Sequence, residues 1–124
     1  QHPDLRLRQS SLYAMGESSN GKWLPAVLAD TDHDQPAIRF EAANALGKLG
    51  EEDTLPDLIK LIQDEDIQVQ VAAIRSIGEI GGDLAKAALE KCLILGEEPI
   101  IEEAAAALQT IEFDMEPLAF EFKI

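Results

Sequence analysis

The residues that could do chemistry are few and scattered. The run Asp30-Thr31-Asp32-His33-Asp34 starts like a calcium loop, with carboxylates at loop positions 1, 3 and 5 and Glu41 falling at position 12. Gln35 stands where the turn of such a loop requires glycine, and Pro36 follows it, so the run reads as an acidic turn ahead of a helix whose dipole it complements. His2 and His33 are the only histidines, and neither has a second His or a Cys at zinc-ligand spacing. Cys92 is the single cysteine. It can form no intrachain disulfide, and a reduced, cytoplasmic setting is expected. No serine lies in a nucleophile-elbow context, and no glycine-rich loop precedes a helix in the phosphate-cradling pattern. These residues predict no metal and no cofactor, and the expected class is a binding protein rather than an enzyme.

Charge narrows the partners. The 124 residues carry 10 Lys and Arg against 24 Asp and Glu, a formal net charge of −14 that repels nucleic acid. Acidity grows along the chain, from three acidic and three basic residues in 1–31 to eight acidic and one basic in 94–124. Such a field suits solubility or a basic protein partner. Glu97, Glu98, Glu102 and Glu103 crowd what reads as a helix start, where negative charge complements the dipole. No apolar run approaches the roughly 18 residues that span a bilayer, and no membrane association is expected.

The elements that must position these residues follow from an internal repeat. A shift of 31 positions carries Leu7-Arg8 onto Ile38-Arg39, and Ala14-Met15-Gly16 onto Ala45-Leu46-Gly47 and then Ser76-Ile77-Gly78. The same shift lays Leu24-Pro25 on Leu55-Pro56. Within one unit, Ile38, Ala42, Ala45, Leu46 and Leu49 have the spacing of a buried helical stripe, Gly50 stops the helix, and Pro56 opens a second helix with the apolar face Leu55, Leu58, Ile59 and Ile62. Each unit is therefore expected to be an antiparallel helical hairpin, over about 5–35, 36–66 and 67–97, with a degenerate copy at 98–112 in which Gln109 replaces the glycine. Glycine inside a helix costs about 1 kcal/mol against alanine, so its recurrence at 16, 47 and 78 implies a packing need. Residues 113–124 leave the pattern. There Leu118, Phe120, Phe122 and Ile124 alternate with other residues, which predicts an extended tail that caps the last hairpin or pairs with another chain.

The stretch from Ala37 to Gly50, Ala-Ile-Arg-Phe-Glu-Ala-Ala-Asn-Ala-Leu-Gly-Lys-Leu-Gly, resembles the short HEAT-like repeat of phycobilisome lyases, common in bacterial proteins. The resemblance covers roughly residues 5–112, with Gln70 replacing the usual arginine and Gln109 the glycine. It implies an all-α fold, a right-handed α-solenoid of about four antiparallel helix pairs in one domain. It also implies a spread of functions that fold alone does not separate: scaffolds, adaptors and subunits that attach bilin chromophores. The reading placed first is a scaffold or adaptor that binds a protein or peptide, through second-helix residues Asp53, Asp57, Lys60, Lys86 and Lys91 and with Trp23 as an aromatic anchor. The competing reading of Trp23 is a plug for the open N-terminal end. The alternatives for the chain are a bilin lyase-like subunit, in which Trp23 or Cys92 contacts the chromophore, and a passive spacer or regulatory piece of a longer protein. Self-association through the open ends of the stack or the tail is also expected.

Overall fold

The computed structural model describes residues 3–115. The helices are α1 Pro3–Glu17, α2 Leu24–Ala29, α3 Pro36–Leu49, α4 Leu55–Leu61, α5 Ile67–Ile80, α6 Asp83–Leu95 and α7 Glu98–Met115. Short 3-10 turns, Gly21–Trp23, Asp30–Asp32 and Glu52–Thr54, join several of them. Among the described residues there is no strand. The helices α1/α2, α3/α4 and α5/α6 are the three expected hairpins, and α7 is the first helix of the fourth unit.

Local chemistry sets the helix ends. Pro36 occupies the first turn of α3, where its missing N–H is harmless, and Gly50 closes the helix at φ +70°, a left-handed conformation that side-chain-bearing residues avoid. Asp66 caps α5 by accepting from the backbone N–H groups of Gln68 and Val69. A 3-10 turn leads into α4: Asp53 is exposed there, and Thr54 donates its hydroxyl to the Glu51 carbonyl at 2.7 Å. The helix α7 continues through Phe113 to Met115, three residues into the stretch expected to be extended. No glycine or proline interrupts residues 100–115, so nothing in that stretch stops the helix. The rest of the expected tail, 116–124, lies outside the described residues.

The first helices form one continuous layer, α1 against α3, α3 against α5 and α5 against α7. Glycine makes that layer possible. A methyl group added at Gly16 would lie 2.9 Å from the Ala45 Cα, and one at Gly78 would lie 2.8 Å from the Ala107 Cβ. At Gly47 the added group would collide with the Ser76 side chain, whose buried hydroxyl donates to the Ala43 carbonyl at 2.7 Å. The recurrence of glycine thus reflects helix-to-helix contact, the packing need inferred from its register. Ala42, Ala45, Ala73, Ala104 and Ala107 are buried along these crossings, between the larger Leu12, Ile38, Leu46, Ile74 and Ile77.

The second helices nest against this layer. Each packs on its neighbours through Val27, Leu55, Leu58, Ala85 and Leu89, all buried, and α4 and α6 also pack on the first helix of the following unit. Against each other, α4 and α6 touch only sparingly. The result is an all-α solenoid with a tight first layer and an open second one.

Candidate partner-binding groove

Because α4 and α6 stand apart, a groove opens between them. It encloses about 520 Å³ and is lined by Ile59 of α4 and Ile62 just past its end, Ile67 of α5, Ala88, Cys92 and Leu95 of α6, and Pro99 and Ile100 of α7. Four elements therefore supply its apolar surface. Several of these side chains remain open to solvent, with Ile67 44% and Leu95 70% exposed. Lys60 and Lys91 line the same groove, one from each second helix, with Gln63, Gln70 and Glu97 completing its polar part. The two lysines are separated by one repeat period in the sequence, so they occupy equivalent places on successive helices.

Cys92 is 7% exposed at the groove floor. Burial pushes its thiol above the ordinary cysteine range, so the neutral, weakly nucleophilic form dominates at neutral pH. It behaves there as a small apolar residue.

A second cavity, about 570 Å³, lies over the turns that join the units. It is lined by Asp32, His33 and Asp34 of one turn, Asp64 and Glu65 of the next, and Asp57 and Lys60 of α4. Its floor is Arg39, 8% exposed, which binds both turns together. Its Nε and Nη2 donate to the two carboxylate oxygens of Asp64 at 2.7 and 3.0 Å, and its Nη1 donates to the carbonyls of His33 and Asp34 at 2.8 and 3.0 Å. Burial pushes the Asp64 carboxyl up, but the Arg39 hydrogen bonds, the Asp66 N–H and the Arg39 charge outweigh it and hold the group below its ordinary value. Gln70 stands in the arginine register of the next unit and donates its amide to the Asp64 carbonyl, a neutral version of the same tie.

The face formed by the first helices carries a cavity of about 660 Å³ lined by Tyr13, Glu41, Asn44, Lys48, Arg75, Glu79 and Glu103 among others. Its cations are already engaged: Lys48 pairs with Glu17 at 2.9 Å, and Arg75 meets Glu103 through two hydrogen bonds of 2.9 and 3.0 Å. Glu103, placed at a helix start by its sequence position, is thus committed to a neighbouring helix. The residues compared with a calcium loop are parted in the same way. Asp30 is buried and pairs with Arg8, while Glu41 opens onto the first-helix face and Asp32 and Asp34 onto the turns. Among the described residues no group of three or more His, Cys, Asp and Glu side chains is placed to hold a metal ion.

Of the residues expected to meet a partner, Lys60 and Lys91 come together across the groove, and Asp57 lies beside Lys60 in the cavity over the turns. Asp53 is exposed in its 3-10 turn, and Lys86 is half-buried on α6, apart from the groove lining. Trp23 is half-buried and packs on the core at the N-terminal end, with the Lys22 ammonium 4.9 Å from its ring centre, a cation–π distance. Sequence reading missed the contributions of Ile67 and Ile100, because a helix-by-helix pattern assigns each to its own apolar stripe. The shared register of Lys60 and Lys91 was visible in the 31-residue shift and could have marked the groove.

The layered hairpins define the class of the molecule, an α-solenoid of short helical repeats. The family model described as HEAT repeats matches residues 1–66 and again 31–109. The chain belongs to the HEAT-repeat family. It is similar to a deoxyhypusine hydroxylase of Candida glabrata, 32% identical over 116 residues that make up 90% of this chain and 36% of that protein. A phycocyanobilin lyase subunit alpha of Synechococcus elongatus is 43% identical over 63 residues, 51% of this chain and 23% of the relative. A deoxyhypusine hydroxylase of Eremothecium gossypii is 32% identical over 73 residues, 57% of this chain and 23% of the relative. The chain thus spans about a third or less of the length of these relatives.

These relatives correct the expectation that the chain is not an enzyme: the match covering 90% of it is to a protein named as one. The expectation failed for a physical reason. It rested on the absence of familiar catalytic spacings, whereas function resides in sites grafted onto a fold, and missing motifs do not decide whether such a site exists. No helix among the described residues is long and apolar enough to cross a membrane.

Proposed function

We propose that this chain is a protein-binding HEAT-repeat unit, a scaffold or adaptor whose partner, a protein or peptide, seats in the groove between α4 and α6. The observation that carries this reading is the groove itself: an open apolar surface fed by four helices, with a lysine on each bank. Burying exposed apolar area is the main source of binding free energy, at about 25 cal/mol per Å², and concave surfaces offer it most effectively. Repeat stacks present extended surfaces of this kind because each unit touches only its neighbours. Trp23, packed on the core, serves the N-terminal end rather than the groove, and Asp53 and Lys86 lie outside the contact.

The test is affinity capture with the intact chain and with Ala88→Phe, which fills the groove from a half-buried position on α6. Partners bound by the wild-type chain and lost by the variant, with unchanged circular dichroism, support the reading. Full retention of every partner removes the groove from the site.

A second reading is favoured by the names of the relatives: the unit works within an enzyme, of the hydroxylase or bilin lyase kind. For the lyase form, titrating phycocyanobilin into the purified chain should change the visible absorbance of the pigment, and a flat response contradicts it.

A further inference from the structure

We infer that the groove between α4 and α6 is shaped for an amphipathic helix of the partner whose apolar stripe is bordered on both sides by carboxylates. This rests on the reading of that groove as the partner site. The chain has many more acidic than basic residues, and several of its cations are spent internally: Arg8 on Asp30, Arg39 on Asp64, Lys48 on Glu17 and Arg75 on Glu103. Lys22 lies over the Trp23 ring. Lys60 and Lys91 are both exposed, and among the described residues neither makes an ion pair. Two ammonium groups thus flank a groove whose own lining holds a single carboxylate, Glu97, while Lys60 also borders the cavity over the turns with Asp57, Asp64 and Glu65.

Their placement selects the geometry of the occupant. The 31-residue period sets Lys60 and Lys91 at equivalent heights on neighbouring helices, one on each bank, with the apolar floor between them. An α-helix lying along the groove presents apolar side chains at i, i+3, i+4 and i+7 to that floor, and its flanking positions fall toward the two banks, as in helix-in-groove recognition and at the edges of coiled coils. Carboxylates at those flanks meet the ammonium groups, while lysines there are repelled. Glu97, the one carboxylate lining the groove, sits at the α6 to α7 junction and marks the end at which a partner helix avoids acidic residues.

Cys92, the single cysteine, reports occupancy because it lies at the floor. The intact chain is alkylated with N-ethylmaleimide in the presence of three 18-residue peptides that share a leucine stripe at helical spacing and carry glutamate, glutamine or lysine at the flanks. The glutamate peptide is expected to slow alkylation at least tenfold, the glutamine peptide at least fivefold less effectively, and the lysine peptide not at all. Protection by the glutamate peptide should weaken as salt rises. Lys60→Glu with Lys91→Glu should abolish that protection and transfer it to the lysine peptide, with an unchanged thermal midpoint showing that the fold is intact. Equal protection by the glutamate and glutamine peptides, retention of protection in the double variant, or no protection by any peptide overturns the inference. If a captured partner is lost on Ala88→Phe while the glutamate peptide fails, the acidic-helix inference falls alone. If that variant retains every partner, the groove reading falls with it.

Discussion

Along the row of first helices a glycine meets a small residue at each crossing, whereas α4 and α6 in the second row barely touch and leave about 520 Å³ open between them. The same repeat therefore carries two interfaces with opposite demands. The first layer excludes side chains so that helices close on one another, and its polar atoms are satisfied internally, as Ser76 is by Ala43. The second layer keeps its distance and leaves Leu95 and Ile94 of α6 exposed at 70% and 80%. A repeat protein that separates these tasks can hold its shape with one face and vary the other.

The contrast predicts where substitutions act. The largest effect is expected for Leu46→Ala, which empties a fully buried place in the first layer and should cost about 2–5 kcal/mol of unfolding free energy in urea titration. Ile94→Ala in the second row should stay within about 0.5 kcal/mol. Comparable losses at the two sites would break the distinction.

Asp64→Ala comes next. It leaves the buried Arg39 guanidinium with backbone carbonyls and the exposed Glu65 carboxylate 3.9 Å away, a loss of about 3 kcal/mol in the same titration. The pH dependence has a definite sign. Asp64 is held below its ordinary value of 3.8 in the folded chain, so its stabilisation is complete above that value and is lost as pH falls through the lower, folded value. The variant should therefore lose most at neutral pH, and its deficit should shrink in acid.

Gly78→Val is predicted to cost about 1–3 kcal/mol, because the added atoms meet Ala107 of α7. A smaller effect of opposite direction is expected for Glu41→Gln. Burial raises the Glu41 carboxyl above its ordinary 4.5, so ionising it destabilises the folded chain as pH climbs through the raised value. The glutamine variant should melt slightly higher than wild type at neutral pH, and the gain should vanish once both states are protonated in acid.

How much of this the sequence disclosed depends on whether a feature repeats. The hairpins, the glycine register and the buried alanines were legible because each recurs at 31 residues and answers to a local rule of helix spacing. Arg39 was legible only as part of a family pattern; its clamp on two turns joins atoms 25 residues apart from Asp64 and is set by how hairpins stack. The groove was half legible. Lys60 and Lys91 stood among the residues expected to meet a partner, but the floor draws on the starts of α5 and α7, which no single amphipathic pattern reveals. Trp23 stood out in the sequence as an unusual residue, and it is half-buried against the core in the first unit. The catalytic question was illegible in the motifs and turned on the relatives instead.

The central claim is that partners bind the open second row and not the closed first one. Hydrogen exchange of the chain with and without a captured partner tests it most directly, because amide protection reports contact segment by segment. The account predicts added protection over residues 59–67 and 88–100 and none at 41–48, 75–79 and 103–110. Protection confined to the latter segments, on the first-helix face, would contradict it.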